Sequence, residues 1–339
     1  MENQKIGKHS FLFSQPPVIT HWASIAGKKE AEGPLAHTFD LVEHDNYFHA
    51  KTWEQAENTM QKLVLQRLLE KANKNEEDID IVFSGDLLNQ CIGSSFSLRN
   101  KDIAHIGLYG ACSTMAESLI TAAFCVGGGF AKNAVAMTSS HFAASERQFR
   151  FPLGYGGQRT PTAQWTVTGS GAALICCSGK GPVITGCTIG TITDLGITDA
   201  NNMGAAMAPA ALATIMTHLN DFQADINSYD LIVTGDLGQT GKEVLLTLAQ
   251  KEHLPLAGRL DDCGTMIFDL STQDVHSGGS GCGCSAITLC GYLLNQVASG
   301  KLKKILFCGT GALLSPTSTQ QNNPIPGICH GVVIEGKNL

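Results

Sequence analysis

Apolar and polar positions alternate along the chain in a way that predicts helices and strands in a repeating order. From Trp53 to Lys71 the apolar side chains fall three and four residues apart, with acidic residues early and basic residues late, which predicts an amphipathic helix. A short acidic turn follows, and the apolar run "IDIVFSGDLLNQ" predicts a buried strand that leads into a loop. The order recurs later: the segment from Ala210 to Leu219 predicts a helix, "NSYD" a turn, and "LIVTGDLGQT" a strand and loop.

Two pairs of similar segments indicate an internal duplication. The first pair is "FSGDL" at 83–87 and "VTGDL" at 233–237. The second pair follows in the same order, where "ACSTMAESLITAAFCVGGGFAKNAVAM" aligns with "GCSAITLCGYLLNQVASGKLKKILFCG". This alignment sets Cys112 opposite Cys284 and Gly129 near Gly300. We therefore predict two homologous halves, residues 1–179 and residues 180–339.

The order of elements in each half predicts the fold class. Helix, strand, buried helix and strand in succession build a mostly parallel sheet with helices on both faces. The two buried helices are rich in Ala, Ser, Thr, Cys and Gly, which lets them pack closely between two sheets. We expect an α/β protein with layers in the order α/β/α/β/α and two pseudo-symmetric halves.

Composition narrows the class of protein further. With 339 residues, 43% of them hydrophobic and 16% charged, the chain can bury a large core, and its net charge of −7 argues against a general nucleic-acid binder. The N-terminus is polar and lacks the apolar stretch of a signal peptide, and twelve cysteines in such a chain favour reduced thiols in the cytoplasm. The longest uncharged stretch, Thr160 to Gly179, is interrupted by Gly, Thr, Ser and Pro. We therefore expect no transmembrane segment, and only peripheral contact with any membrane.

The main candidate for chemistry is a cysteine at the start of the first buried helix. In "GLYGACSTMAESL", residues 107–119, Cys112 precedes a helical run. The helix dipole and the free backbone N–H groups at such a position stabilise a thiolate, and they can also hold an oxyanion or a carboxylate. The alternative is a structural role, because cysteine is among the residue types most often buried.

Several long motifs resemble known families. The duplicated halves, the Gly-Ala-Cys-Ser helix start and "GGSGCGCSA" resemble the thiolase and ketoacyl synthase superfamily. A closer resemblance is to the stage V sporulation protein AD family of endospore-forming bacteria. It rests on "KEAEGPLAHTFD", "TSSHFAASERQFRFPLGYGGQRTPTAQWTVTGSGA", "DLGITDANNMGAAMAPAA" and "GTGALLSPTSTQQNNPIPGICHGVVIE".

The resemblance implies a function and partners. It implies a protein that binds dipicolinic acid (pyridine-2,6-dicarboxylate) or its calcium chelate and acts with the other sporulation stage V A channel proteins to load the developing spore. Such a protein is cytoplasmic or peripheral at the spore inner membrane. The superfamily also implies a homodimer. No cofactor is expected apart from calcium carried by the ligand.

The residues give a separate reason to expect no condensing activity. A condensing enzyme of this superfamily needs a His, and a second His or an Asn, beside the cysteine. Where these would fall, the chain has Gly235 and Asp236 in one place and Ser280 in the other. An aspartate near a cysteine raises the pKa of the thiol instead of activating it. We therefore expect a degenerate active site without an established catalytic role.

Two other functions stay open at this point. An acyltransferase or condensing enzyme would use Cys112 as the acyl-accepting nucleophile, with His141 or His330 as a substitute base. A structural subunit would have its pocket closed by large side chains beside Cys112.

A dicarboxylate needs groups that bind anions at both ends. Backbone N–H groups at Cys112 and Ser113 could bind one carboxylate, and a positive side chain could bind the other. Asp86 and Asp236 would approach the centre from opposite halves, where they could hold calcium or cap backbone N–H groups. The predicted ligand-binding set is Cys112, Ser113, Asp86, His141, Arg147, Arg150, Asp236 and Ser280.

Other charged and cysteine-containing motifs are expected to be structural. Arg147 and Arg150 could also be surface charges or dimer contacts, and Glu117 is expected to be a paired structural carboxylate. The stretch "GDLGQTGKE" does not have the spacing of a phosphate-binding loop. The chain has no Cys-x-x-Cys pair, so we expect no metal site.

Overall fold

The computed structural model describes residues 3–149 and 159–336. Within these ranges no helix is both long and apolar enough to cross a membrane. The strands are β1 (Gln4–Ile6), β2 (Ser10–Leu12), β3 (Val18–Ala26), β4 (Leu41–Val42), β5 (Ile81–Gly85), β6 (Ala104–Leu108), β7 (Asn133–Ser140), β8 (Trp165–Thr166), β9 (Gly169–Cys176), β10 (Val183–Thr188), β11 (Leu231–Thr234), β12 (Leu260–Asp262), β13 (Gly279–Ser280), β14 (Lys304–Ala312) and β15 (Gly327–Glu335). The helices are α1 (Trp53–Ala72), α2 (Ile92–Ser97), α3 (Thr114–Gly127), α4 (Phe142–Phe149), α5 (Met203–Asp221), α6 (Gly238–Lys251), α7 (Cys263–Met266), α8 (Cys282–Thr288), α9 (Leu294–Ala298) and α10 (Pro316–Gln320).

Thirteen of these described strands form one sheet whose order is symmetric about its centre. The order is β12-β11-β14-β15-β10-β3-β9-β7-β5-β6, and β1, β2 and β4 are attached beside this path. From the central strands β10 and β3 outward, the pairings on each side run antiparallel, antiparallel, parallel and parallel. The prediction of a mostly parallel sheet is therefore wrong in detail. β9 and β15 each begin opposite the last residue of the preceding long strand, Ser140 and Ala312 respectively, and so run back along it.

The helices lie in three layers around the two halves of the sheet. α1 packs on β3, β7 and β9 and covers a core cluster that includes Met60, Leu65 and Leu68. α5 packs on β14 and β15 and against α6, over a second cluster. α3 lies between the two halves of the sheet, in contact with β5 and β7 on one side and β14 and β15 on the other, and α8 packs beside it. The predicted α/β/α/β/α arrangement is confirmed.

Some helix boundaries agree closely with the sequence predictions. α1 begins after Thr52, whose side chain caps the first turn, and ends at Ala72 before Asn73, which has left-handed backbone with φ 49°. The turns after the two buried helices contain Gly129 and Gly300, with φ 77° and 76°. Glycine is favoured there because other residues rarely adopt this conformation.

Two other predicted boundaries are wrong. α5 begins at Met203, well before the predicted start at Ala210, and α6 begins at Gly238 within a stretch predicted as loop. The reason is visible where the two helices touch, because a Cβ added to Gly204 would lie 2.9 Å from the Cα of Gly241. Small residues suit this close contact and leave little apolar periodicity in the sequence.

The connection between β9 and β10 contains the predicted boundary between the two halves. β9 ends at Cys176 and β10 begins at Val183, so residues 179 and 180 fall in the loop between them. The division into two homologous halves stays a prediction.

Candidate ligand-binding site

A tight turn between β6 and α3 presents Cys112. Ala111 has left-handed backbone with φ 53°, which costs a residue with a Cβ roughly 1–3 kcal/mol. One 3-10 turn, Ala111–Ser113, leads directly into α3. Gly110 is packed so closely that an added Cβ would lie 1.5 Å from Glu117 Oε1. These contacts fix the position of Cys112 at the start of the helix.

A cavity of about 570 Å³ opens at this turn and has Cys112 in its wall. The volume falls in the range of roughly 300–1,000 Å³ that is typical of small-molecule sites. Arg147 is the charged side chain among the described lining residues, and the others are apolar or neutral polar. They are Leu87, Asn89, Tyr109, Ala111, Cys112, Gln148, Met203, Ala312, Leu313, Leu314, Ser315, Pro316, Thr317 and Ser318.

The Cys112 thiol is buried beside a carboxyl group. Burial raises the pKa of Cys112 well above its usual value, and the Asp236 carboxylate and Cys282 raise it further. A hydrogen bond with Ser280 lowers the pKa but is the weakest of these effects. The thiol is therefore protonated at neutral pH, which makes it a poor nucleophile.

Asp236 follows β11 and is fully buried. Its Oδ1 accepts a hydrogen bond from Thr310 Oγ1 at 2.8 Å, and its Oδ2 accepts from Ser280 Oγ at 3.1 Å and from Gly281 N–H at 2.9 Å. Burial raises the pKa of Asp236, whereas its hydrogen bonds lower it. Both oxygens of the carboxyl group are therefore held by protein groups.

Ser113, Glu117 and His330 form a polar chain behind the turn. Ser113 Oγ lies 2.6 Å from the Gly110 carbonyl oxygen and 2.8 Å from Glu117 Oε1, so its single hydroxyl hydrogen is shared between these two acceptors, and the Ser113 N–H also donates to the Gly110 carbonyl. His330 Nε2 lies 3.5 Å from Glu117 Oε1, and Nδ1 accepts a backbone N–H. Glu117 is paired, as expected. The polar groups of Ser113 and the His330 imidazole thus have other protein groups as partners.

His141 is buried and caps the first turn of α4. Its Nδ1 accepts hydrogen bonds from the N–H groups of Ala143 and Ala144 at 3.2 and 3.3 Å, and Nε2 lies 2.8 Å from the Asn46 carbonyl. Nε2 therefore carries the proton and donates. Burial lowers the pKa of His141 to about 4, so the ring is neutral at pH 7. His141 is not among the described residues that line the cavity.

The Asp86 carboxylate is occupied by its own loop. Oδ1 accepts from Leu88 N–H at 2.9 Å, and Oδ2 accepts from both the N–H and the Oγ of Ser94 at 2.7 Å. This geometry favours the capping role over the calcium role. In the part of the chain that the structure describes, no group of three or more His, Cys, Asp or Glu side chains could hold a metal ion.

Arg147 reaches the cavity from α4. Its guanidinium forms an ion pair with Glu54 Oε1 and lies 5.2 Å from the centre of the Trp53 ring. Arg150 lies outside the described residues. The structure thus brings Cys112 together with Asp236 and Ser280, and it brings Arg147 to the same cavity.

One wall of the cavity was not predicted from the sequence. This wall consists of Ala312 at the end of β14 and residues 313–318 after it, and the Tyr109 side chain, 56% exposed, borders the same space. A polar segment that contains proline has no apolar period to mark it. The strand order, which places β14 against the Cys112 turn, is what brings this segment into the site.

A family model and one curated relative match nearly the whole chain. The model for stage V sporulation protein AD (SpoVAD) matches residues 7–335. Stage V sporulation protein AD of Bacillus subtilis (strain 168) is 43% identical over 329 residues, which is 97% of this chain and 97% of the relative.

Solved structures share the fold at low sequence identity. The 3-oxoacyl-[acyl-carrier-protein] synthase III of Aquifex aeolicus has a TM-score of 0.58 at 12% identity and covers 94% of this chain and 99% of its own. Human mitochondrial 3-ketoacyl-CoA thiolase has a TM-score of 0.59 at 10% identity and covers 96% of this chain and 99% of its own. At such identities the likeness shows the fold alone, which is that of the thiolases and ketosynthases.

Proposed function

Because the chain belongs to the stage V sporulation protein AD family, we propose that it binds dipicolinic acid, as the free acid or the calcium chelate, in the cavity beside Cys112. The bound compound is then passed to the other stage V A channel proteins, which load it into the developing spore. The protein acts as a carrier with a degenerate thiolase-type site.

The observation that carries this proposal is the character of the cavity wall. Leu87, Met203 and Leu314 offer apolar contact to a flat aromatic ring, and Arg147 offers a guanidinium for a carboxylate. The position beside Cys112 is taken by Asp236. These features support binding of a small aromatic anion better than they support acyl transfer.

The buried carboxyl group also bears on the charge of the ligand. If Asp236 is ionised, a free dianion that approaches the Cys112 end of the cavity is repelled, and this repulsion is strong because little water screens it. Calcium in the chelate offsets the two carboxylate charges. With Asp236 charged, the chelate suits this end of the cavity better than the dianion does.

Calorimetric titration tests the proposal. Dipicolinate, with and without Ca²⁺, is titrated into the wild type, Cys112→Ala and Cys125→Ala, with benzoate and pyridine-2-carboxylate as control ligands. We expect saturable binding of dipicolinate that is up to about tenfold weaker in Cys112→Ala, which corresponds to the loss of one hydrogen bond. Cys125 lies near the other end of the same helix, so Cys125→Ala should bind like the wild type.

Two results would contradict the proposal. One is the absence of binding by protein that is shown to be folded. The other is equal affinity for benzoate, which would indicate a general carboxylate site.

An acyltransferase or condensing enzyme is the second candidate. The left-handed Ala111 and the helix start at Cys112 favour it, because both present the sulfur in the manner of a nucleophile. The raised pKa of Cys112 opposes it. Incubation with acetyl-CoA followed by mass spectrometry of the Cys112 peptide decides: an added acetyl group would favour the enzyme, and unmodified Cys112 would favour the carrier.

We extend the proposal to assembly. The protein forms a homodimer and meets the membrane peripherally, through the channel proteins. β6 lies at one end of the strand order and carries Ile106, an apolar side chain that is 49% exposed, which makes this edge a suitable surface for a second copy.

A further inference from the structure

The guanidinium that faces the cavity is already neutralised by an acidic side chain outside it. Arg147 lines the cavity, whereas Glu54 lines a separate groove together with Lys62 and Arg99. The ion pair between Arg147 and Glu54 joins the two spaces. Arg147 and Glu54 side chains are 40% and 31% exposed, so water reaches the pair and it can open.

Aromatic contacts keep the guanidinium at the cavity when the ion pair opens. The Arg147 Cζ atom lies 5.2 Å from the centre of the Trp53 ring, which is within the range of a cation–π contact. The Trp53 ring is held between Tyr47 and Phe142, with ring centres 6.1 and 6.3 Å away. Loss of the Glu54 contact therefore frees the charge of Arg147 without releasing its position.

We propose that Glu54 is an internal competitor for Arg147 that lowers the affinity of the cavity for carboxylate ligands. This inference rests on the proposed function, because it assumes that an anionic ligand occupies the cavity. A ligand carboxylate and the Glu54 carboxylate compete for the same donors. The measured dissociation constant is then the intrinsic one divided by the fraction of molecules in which Arg147 is free. A carrier benefits from such competition because Glu54 displaces the ligand during release.

The size of the effect follows from the strength of exposed ion pairs. Such pairs contribute little, so Arg147 is free in a substantial fraction of molecules, and removal of the competitor should lower the dissociation constant about two- to fivefold. The change depends on Arg147. It should disappear when Arg147 no longer carries a charge.

A double-mutant cycle tests this inference. Dipicolinate is titrated into the wild type, Glu54→Gln, Arg147→Gln and the double variant. We expect Glu54→Gln to bind dipicolinate about two- to fivefold more tightly than the wild type, and Arg147→Gln to bind it more weakly. In the Arg147→Gln background, the Glu54→Gln substitution should have no effect on the affinity. The matched control is Glu70→Gln, which makes the same change on the same helix in an ion pair with Arg67, 3.4 Å away; it should bind like the wild type.

The outcomes separate this inference from the proposed function. If the wild type binds and folded Glu54→Gln binds equally or more weakly, Glu54 orients Arg147 or is neutral, and only the competition is overturned. Tighter binding of Glu54→Gln that persists without the Arg147 charge would overturn it too. If none of the variants binds, the proposed function fails, and the competition fails with it.

Discussion

At the scale of single residues, Cys112 shows how its surroundings decide what a cysteine can do. The start of α3 favours a thiolate through the helix dipole and free N–H groups. Burial and the Asp236 carboxylate act in the opposite direction, and together they raise the pKa of Cys112 well above its usual value. The effects that disfavour the thiolate are larger than those that favour it, so the sulfur stays protonated. A residue placed as a nucleophile is thereby kept unreactive.

Alkylation rates test this balance. We expect iodoacetamide at pH 7 to label Cys112 far more slowly than the exposed Cys177, because the thiolate is the reacting form. Asp236→Asn removes the nearby charge, lowers the pKa of Cys112, and should speed its labelling by up to about tenfold for each unit of the pKa decrease, because the thiolate fraction rises. Peptide mass spectrometry measures both sites in one sample.

The control for this experiment is a second buried aspartate. Asp86→Asn makes the same change in a carboxyl group of similar burial that is not one of the main causes of the pKa shift of Cys112. It should leave the Cys112 rate unchanged. Labelling of wild-type Cys112 as fast as Cys177 would show that the thiol is already activated.

Chain order is what allowed the sequence to indicate which residues lie near Cys112, whereas their role in ligand binding stays a prediction. The position of Asp236 after a strand, and of Ser280 before a buried helix, placed both near Cys112. The environments of His141 and Asp86 could not be predicted, because their hydrogen-bond partners depend on loop shape. Periodicity carries no information on loop shape. The contact between Glu54 and Arg147 was not predicted, because the sequence at the start of a helix does not indicate which arginine an acidic residue there will contact.

At the scale of elements, the turn between β6 and α3 has the least spare room near the site. A Cβ on Gly110 would lie 1.5 Å from Glu117 Oε1, and Glu117 is itself held by Ser113 and His330. Gly107, three residues earlier, has room for a methyl group, since the atoms nearest to an added Cβ would lie at an ordinary van der Waals distance of 3.7 Å. Substitution of each glycine by alanine therefore gives a test variant at Gly110 and a matched control at Gly107.

We predict that Gly110→Ala lowers the free energy of unfolding by about 1–3 kcal/mol and weakens dipicolinate binding, because Glu117 and the Cys112 turn must move. Gly107→Ala should change stability by less than about 0.5 kcal/mol, as expected for a substitution with room for the methyl group. Urea denaturation measures both. Equal stability of the two variants would mean that Glu117 moves aside at no cost.

Elements with a strong apolar period were predicted well, and elements built on small residues were not. α1 carries a regular apolar face and was predicted to within one residue at its C-terminal end. The first turns of α5 are rich in Gly and Ala, because they lie against α6, and the pattern gave no sign of a helix there. A π-helical turn at Leu289–Leu293, which joins α8 to α9, also had no signal.

At the scale of the whole molecule, the duplicated segments predicted the layers but not the strand directions. Similar segments in the same order gave two sets of helix and strand, and these stack as α/β/α/β/α. The antiparallel pairs next to the centre could not be predicted, because strand direction depends on the sheet end at which a connection returns. The connections before β9 and β15 return at the end where the preceding strands finish.

Two buried titratable groups far apart in the sequence, His218 and Glu30, have opposite effects on stability between pH 5 and 7. His218 is bonded to Tyr229 and Thr188, and burial lowers its pKa from 6.5 to about 3. The stability that it contributes is complete above pH 6.5 and is lost as the pH falls toward 3. Burial raises the pKa of Glu30 from 4.5 to about 7, so its contribution is complete below pH 4.5 and is lost as the pH rises through 7.

Because the two groups change the free energy of unfolding in opposite directions with pH, variants that remove them should differ from the wild type in opposite ways. From pH 7 to pH 5 the wild type loses about 2 kcal/mol through His218 and gains about 2 kcal/mol through Glu30. The stability gap between the wild type and His218→Gln should therefore narrow by about 2 kcal/mol at pH 5, and the gap to Glu30→Gln should widen by a similar amount. Urea denaturation at the two pH values measures both gaps. If both move in the same direction, at least one of the two groups does not have the protonation state that its burial implies.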